Sequence, residues 1–367
     1  MWFSIEREEI VKHLTTVCGV VERRHVLPIL FNVLLIIEDS QLSLTTTDLE
    51  VEIRTIFKVQ QIEAGRITVA ARKFLDICRI LPSRSTLEVQ HKNGQLHIRA
   101  EHSKFTLSTL PAKDFPNTNN FDKVTEIELT QIELKSLLQK TVFCMAHQDV
   151  RYYLNGLLIE LEKEELHAVA TDGHRLAIAS LKKRLLPDEG KIQAIIPRKA
   201  VLELTRLLEE SDDLVRITLG NSQIRAEFHG LSFFTKLIDG QFPDHRRVIP
   251  IGCEKQLIIN REALKQGLAR VNILTNDKHH GVRLYFSNST LQAIVTNLEQ
   301  ESAEEKIETN YEGNSLEIGF NNSYLIELLN IIASEQVKLE FTDASSGCLI
   351  TPLNGDTSKY VIMPMRL

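Results

Sequence analysis

With 367 residues, 43% hydrophobic and 25% charged, the chain is longer than one core usually fills and too apolar for disorder, so two or three packed domains are expected. Its net charge of −6 argues against a nucleic-acid partner unless lysine and arginine gather on one face and leave the exterior acidic. The five cysteines, Cys18, Cys78, Cys144, Cys253 and Cys348, are an odd number without C-x-x-C spacing; this excludes a paired disulfide framework and reads as core thiols in a reducing cytosol.

The first nine residues carry Glu6, Arg7, Glu8 and Glu9 where an export signal needs an apolar run, so export is not expected. The most apolar stretch, residues 26–37, is broken by Pro28 and Asn32 and is too short to cross a bilayer core of roughly 30 Å. An amphipathic helix is predicted over residues 7–22, with Ile10, Val11, Leu14, Val17 and Val21 on one stripe. Strands follow at 33–37 and 42–46, ending in Thr47-Asp48, then a second helix at 72–81 and strands at 86–89, 96–100 and 105–110.

The plan then recurs. A helix over 131–143 leads to strands at 156–161 and 166–170, Thr171-Asp172, a helix at 198–208 and strands at 215–219, 223–228 and 233–237. A helix over 261–274 leads to strands at 281–286 and 291–295, Thr296-Asn297 and a helix at 322–332. The strand-ending residues 48, 172 and 297 lie 124 and 125 residues apart, so three units fill the chain. Polar segments after Phe115-Pro116 and Phe242-Pro243 suggest boundaries giving domains 1–122, 123–253 and 254–367.

Helices beside antiparallel strands make each unit α+β, and three alike in series make a curved array. Two such arrays joined head to tail would close into a finite ring. Twelve helices lining it at about 8–10 Å spacing would enclose roughly 30–38 Å, room for a duplex.

Along essentially its whole length the sequence resembles the bacterial DNA polymerase III β subunit family, the replicative sliding clamps. The resemblance rests on Leu27-Pro-Ile-Leu, Thr47-Asp-Leu-Glu, Arg72-Lys-Phe, Asp76-Ile-Cys-Arg, Leu107-Ser-Thr-Leu-Pro and Ala146-His-Gln-Asp-Val-Arg-Tyr-Tyr-Leu-Asn-Gly, in that order. Ala170-Thr-Asp-Gly-His-Arg-Leu, Phe242-Pro-Asp and the terminal Val361-Ile-Met-Pro-Met-Arg-Leu complete it. It implies three clamp domains per chain and a head-to-tail dimeric ring, with helices lining the lumen and antiparallel sheets outside. The implied activity is a non-catalytic processivity factor in the bacterial cytoplasm, associated with the nucleoid. The implied partners are sequence-independent duplex DNA, a second copy of the chain, the polymerase catalytic subunit, the clamp loader and other carriers of a short clamp-binding peptide.

Basic residues recur on the predicted helices, and Arg72-Lys73 and Arg198-Lys199, 126 residues apart, read as matching phosphate contacts that carry no base information. By resemblance, Arg24 and the segment with Gln148, Tyr152 and Tyr153 are further DNA contacts. The resemblance also assigns a partner-peptide pocket. Arg151, Leu154, Thr171, Gly173, His174, Arg175 and Leu176 come from the middle unit; Pro243, Arg247 and Val248 follow it; Asn321, Tyr324, Val361, Met363, Pro364, Met365 and Arg366 come from the last. Such a set suits an adaptable apolar groove rimmed by arginine. His279 and His245 stand where aromatic residues are expected in relatives.

At the closing interface the resemblance sets Lys104, Phe105 and Leu107 against Ile273, Leu274, Glu299, Glu301 and Glu304, with opposite charges selecting the partner edge. Catalysis at Asp172-Gly173-His174-Arg175 is the rival reading. Against it, the equivalent places hold Asp48-Leu49-Glu50-Val51 and Asn297-Leu298-Glu299-Gln300. With no phosphate loop, nucleophile elbow or metal-ligand spacing, neither cofactor nor metal is expected. A repeat scaffold that binds proteins but does not encircle DNA is the other alternative.

Overall fold

The structure is a computed structural model and describes residues 1–22, 27–116, 121–186, 190–275, 280–353 and 355–366. Six α-helices are present among them: α1 Arg7–Val17, α2 Ala71–Ile80, α3 Gln131–Gln139, α4 Arg198–Leu207, α5 Arg261–Val271 and α6 Asn322–Ile331. Each of α1, α3 and α5 is shorter than its apolar period predicts, because a 3-10 turn at Cys18–Val20, Val142–Cys144 or Asn272–Leu274 follows it. Such tightening satisfies carbonyls that an α-helix leaves bare at its end. After α3 the Thr141 hydroxyl adds to this, donating to Leu137 O at 2.8 Å.

The described residues form two compact units. The first, Met1–Ile132 with Leu202–Leu237, holds a 13-stranded antiparallel sheet. Its alternating strands bury one side chain in two; Val33, Leu35, Leu42, Leu44 and Ile53 are fully inaccessible, as expected for a sheet with one covered face. Helix α1 lies against strands Gln41–Thr47 and Val51–Lys58, and packs on α2. Gly19 permits a close approach to α4, since a Cβ there would fall 1.8 Å from Glu203 Oε1.

The second unit, Glu133–Val201 with Ile238–Leu367, holds an 8-stranded and a 4-stranded sheet. Helix α5 packs on α6 and on strand Ser302–Glu308. Phe286, Tyr311 and Phe341 are buried in mutual contact, with Phe286 and Phe341 centroids 4.8 Å apart.

Strands of different thirds join within each unit. In the first, Leu231–Lys236 pairs with Val51–Lys58, with Leu231 opposite Thr55 and Thr235 opposite Val51. In the second, Lys359–Ile362 pairs with Arg175–Lys182, with Ile362 opposite Arg175. These two seams are the same connection made twice: Glu52 and Leu176 each lie opposite the threonine ending the preceding strand, Thr47 and Thr171.

Candidate functional site

The residues expected to line a partner-peptide pocket lie in the second unit. Among them sits a core cluster of Leu154, Leu158, Val169, Leu176, Ile178, Phe242 and Val361. Thus Leu154, Leu176 and Val361, expected as pocket lining, are buried beneath the surface. Phe242 anchors the segment that carries Pro243, Arg247 and Val248, all exposed.

Two turns built by aspartates frame this cluster. Asp172 Oδ1 accepts from the backbone N–H groups of His174 and Arg175 at 2.9 and 3.0 Å, and Thr171 Oγ1 donates to Arg175 O at 2.6 Å. Gly173 has φ +88°, and a Cβ there would stand 3.0 Å from the Arg151 guanidinium. That conformation and that approach both favour glycine. In the other turn, Asp149 accepts from Arg151 N at 2.8 Å, Nε at 3.0 Å and Nη2 at 2.8 Å. The Arg151 side chain and backbone thereby hold the Asp149 carboxyl at about 2. Asn155 closes the loop, donating to Asp149 O and accepting from Asp149 N.

Arg175 is the most constrained cation here. It pairs with Asp172 at 3.1 Å and Glu327 at 2.6 Å, and its guanidinium lies 4.1 Å from the Tyr324 ring centroid and 5.3 Å from that of Phe143. It thereby ties the 172–175 turn to Tyr324 and Glu327 of α6; Glu327, one helical turn from Tyr324, was missed although that spacing puts both on one face. Asn321 is committed as well, its side chain capping α6 by accepting from Ser323 N and Tyr324 N.

The tail strand is pinned by Met363 N donating to His174 O at 2.8 Å and Met365 N to Gly319 O at 2.9 Å. Met363, Met365 and Arg366 are exposed and Pro364 half-buried. Val150, 95% exposed beside Arg151, and Gly347, whose added Cβ would meet Val361 and Met363, extend the surface beyond the residues expected. His245 is buried, with Glu160 behind it; desolvation pushes its imidazole below the usual value despite that carboxylate.

Among the DNA candidates, Arg24 lies outside the described residues, as does His279. Gln148 and Tyr152 are exposed, and Tyr153 packs edge-on to Tyr152 at 5.9 Å. Arg72 donates to Val21 O and Arg198 to Val142 O and Met145 O, each to a segment at or just beyond the end of the preceding helix. Lys73 is exposed and Lys199 half-buried. The strand ladder corrects the spacing: Ala70, Pro197 and Asn321 are the matching residues, so Arg198 corresponds to Ala71 and Arg72 to Lys199. Sequence spacing missed this because the second third carries three more residues than the first between the matching threonines, Thr47 and Thr171, and its helix.

At the two outer edges, Ser103–Leu110 pairs along its length with Gln95–Ala100 but touches Gly65–Ala70 only at Thr109 and Leu110. Ser302–Glu308 pairs with Thr290–Thr296 alone among the described residues. Lys104, Ile273, Glu299, Glu301 and Glu304 are exposed; Phe105, Leu107 and Leu274 are half-buried. Arg270 grips Glu305 at 3.0 and 2.6 Å from α5.

Matches to the DNA polymerase III beta subunit family cover residues 1–119 with its N-terminal domain, 128–244 with its central domain and 246–366 with its C-terminal domain. The chain belongs to that family. It is 47% identical over 369 residues to the beta sliding clamp of Pseudomonas aeruginosa and 46% identical over 369 residues to that of Escherichia coli K12, with 100% of each chain covered. A crystal structure of the P. aeruginosa DNA polymerase sliding clamp matches with TM-score 0.97 at 46% identity, covering 100% of both chains. A sliding clamp of Bartonella birtlesii bound to griselimycin matches at TM-score 0.96 and 37% identity, again over 100% of both chains. The fold is accordingly that of three α+β clamp domains.

Proposed function

We propose that the chain is a DNA sliding clamp, a non-catalytic processivity factor. Two copies close head to tail around duplex DNA and tether the replicative polymerase, the clamp loader and other peptide-bearing proteins. The three domains of this reading are 1–122, 123–253 and 254–367. Among the described residues no helix is long and apolar enough to cross a membrane, and the site of action is the bacterial cytoplasm.

One observation carries this reading: two seams are made by the same strand pairing, and a third pair of equivalent edges is left over. Ser302 lies opposite Thr296 as Glu52 lies opposite Thr47 and Leu176 opposite Thr171. The hairpins Ala100–Ser103 and Phe228–Leu231 likewise align Ser103 with Leu231. Copying the Leu231–Thr55 register sets Ser103 of one copy opposite Glu305 of the other, Lys104 opposite Glu304 and Leu107 opposite Glu301. Cross-strand charges of opposite sign favour that register, and pairing removes two open edges.

The apolar cluster beside the exposed Met363 and Met365 suits a short peptide whose aliphatic and aromatic side chains insert against adaptable thioethers while arginines orient it. Two pockets per ring would allow a partner to engage twice. The DNA contacts expected at Arg24, Arg72, Lys73, Gln148, Tyr152, Tyr153, Arg198 and Lys199 would hold phosphate weakly, since topology retains the ring. The test is retention after loader-assisted assembly on nicked circular DNA. Loss on linearisation supports encirclement; equal retention on circle and line favours an open scaffold.

A further inference from the structure

A second cleft, of about 330 Å³, opens on the sheet of the first unit. Leu34 and Ile36, Ser43 and Thr45, and Arg54 contribute from three adjacent strands; Arg66, Lys113, Glu52, Phe115 and Pro116 complete the wall. These side chains alternate with the inaccessible Leu35, Leu44 and Ile53, and α1 packs on those strands, so the cleft lies on the face away from the helix.

The ladder shows what is unusual about it. Leu34, Thr45 and Arg54 form one cross-strand row, as Leu158, Val169 and Ile178 do in the second third. There the row is closed over by Phe242 as an apolar cluster beneath the pocket; here Phe115 takes the place of Phe242. Arg54 stands where the second third has Ile178, and its Nε is buried without a hydrogen-bond partner among the described residues. No side-chain hydrogen bond or ion pair of Arg54, Arg66 or Lys113 occurs among the described residues. A desolvated guanidinium donor left without an acceptor is costly, whereas a carboxylate would meet it with paired, charge-assisted bonds.

We propose that this cleft binds an acidic peptide segment, its carboxylates on Arg54, Arg66 and Lys113 and a neighbouring aliphatic or aromatic side chain on Leu34, Ile36 and Phe115. The inference rests on reading the equivalent place in the second third as a peptide pocket, and adds a second site of opposite selectivity. The hydroxyls of Ser43 and Thr45 offer further donors on the floor. Glu52 is the one acidic residue among the described residues of the wall.

The test is calorimetric titration of the full dimer with acetyl-Asp-Leu-Glu-Phe-amide, its Asn/Gln counterpart, inorganic phosphate and a duplex oligonucleotide. The acidic peptide is expected to bind at least tenfold more tightly than the neutral one, and to weaken as salt rises. Arg54→Ile, which installs the residue of the second third, should cost at least tenfold in affinity while the melting temperature holds or rises. Removal of residues 363–367 should leave this binding intact. Unchanged affinity in Arg54→Ile, equal binding of the neutral peptide, phosphate binding as tightly as the acidic peptide, displacement by duplex, or loss on tail removal would each overturn the proposal. Arg54→Ile should still dimerise and remain on circular DNA, so failure here is separable from failure of the clamp reading.

Discussion

Replacing Ile273 by alanine should dissociate the dimer. Ile273 is 79% exposed in the single chain, on the turn after α5, and the proposed seam would cover it. Burial of a leucine-sized side chain contributes about 1.5–3 kcal/mol, so truncation should remove about 2 kcal/mol at each seam. A closed two-fold ring contains two seams, giving about 4 kcal/mol and a dissociation constant raised by roughly a thousandfold. Sedimentation velocity across a dilution series reads this directly. Ile251 is 90% exposed, equally apolar and carried by the segment before strand Lys255–Asn260 rather than by either free edge, so Ile251→Ala is the matched control and should leave the mass unchanged. An unaltered dimer in Ile273→Ala, or a monomer in Ile251→Ala, would refute the reasoning.

Glu327→Gln should weaken a clamp-binding peptide about two- to fivefold without changing dimer mass, because a half-exposed ion pair to Arg175 is worth about 0.5–1 kcal/mol; fluorescence anisotropy measures it. The Asp149 carboxyl should titrate at about 2 by NMR and move toward 3.8 in Arg151→Ala. Because that pKa is depressed by folding, its contribution is present above the ordinary carboxylate range and fades as pH falls from about 4 to 2, so the 148–155 loop should hold its shape at neutral pH. Arg198→Ala should lower stability by about 1–3 kcal/mol in denaturant titration, since it strips the donor from two carbonyls. An unchanged midpoint would return Arg198 to an outward, phosphate-facing role.

Local periodicity made the six helices, the strand pairs and the threefold plan legible. Residues 7–17 carry their own apolar stripe and 156–171 their own hairpin, so nothing distant was needed to place them. The seams were not legible in that way: Arg175 meets Ile362 and Val51 meets Thr235 across more than 180 residues, and pairing partners leave no local period. The residues expected at a pocket emerged through family resemblance, but the separate structural part of each did not. Arg175, Asn321 and Leu154 look alike as members of a motif, yet one ties a turn to α6, one caps a helix and one is core. Arg54 escaped notice because VEIRTIFK reads as an ordinary half-exposed strand; only its ladder partners show that an apolar row has been interrupted.

The central claim is that a third seam repeats the first two, and a disulfide scan across it tests that most directly. Glu301 with Leu107 corresponds to Arg175 with Ile362. This is a non-hydrogen-bonded position, where opposing side chains come closest. In a Cys253→Ser background, Leu107→Cys with Glu301→Cys should oxidise to a covalent dimer closed at both seams, stable to denaturant and released by reductant. Leu107→Cys with Ser302→Cys, slipped by one residue onto opposite faces, should not. Crosslinking of the slipped pair alone, or of neither pair while the protein remains dimeric, would contradict the account.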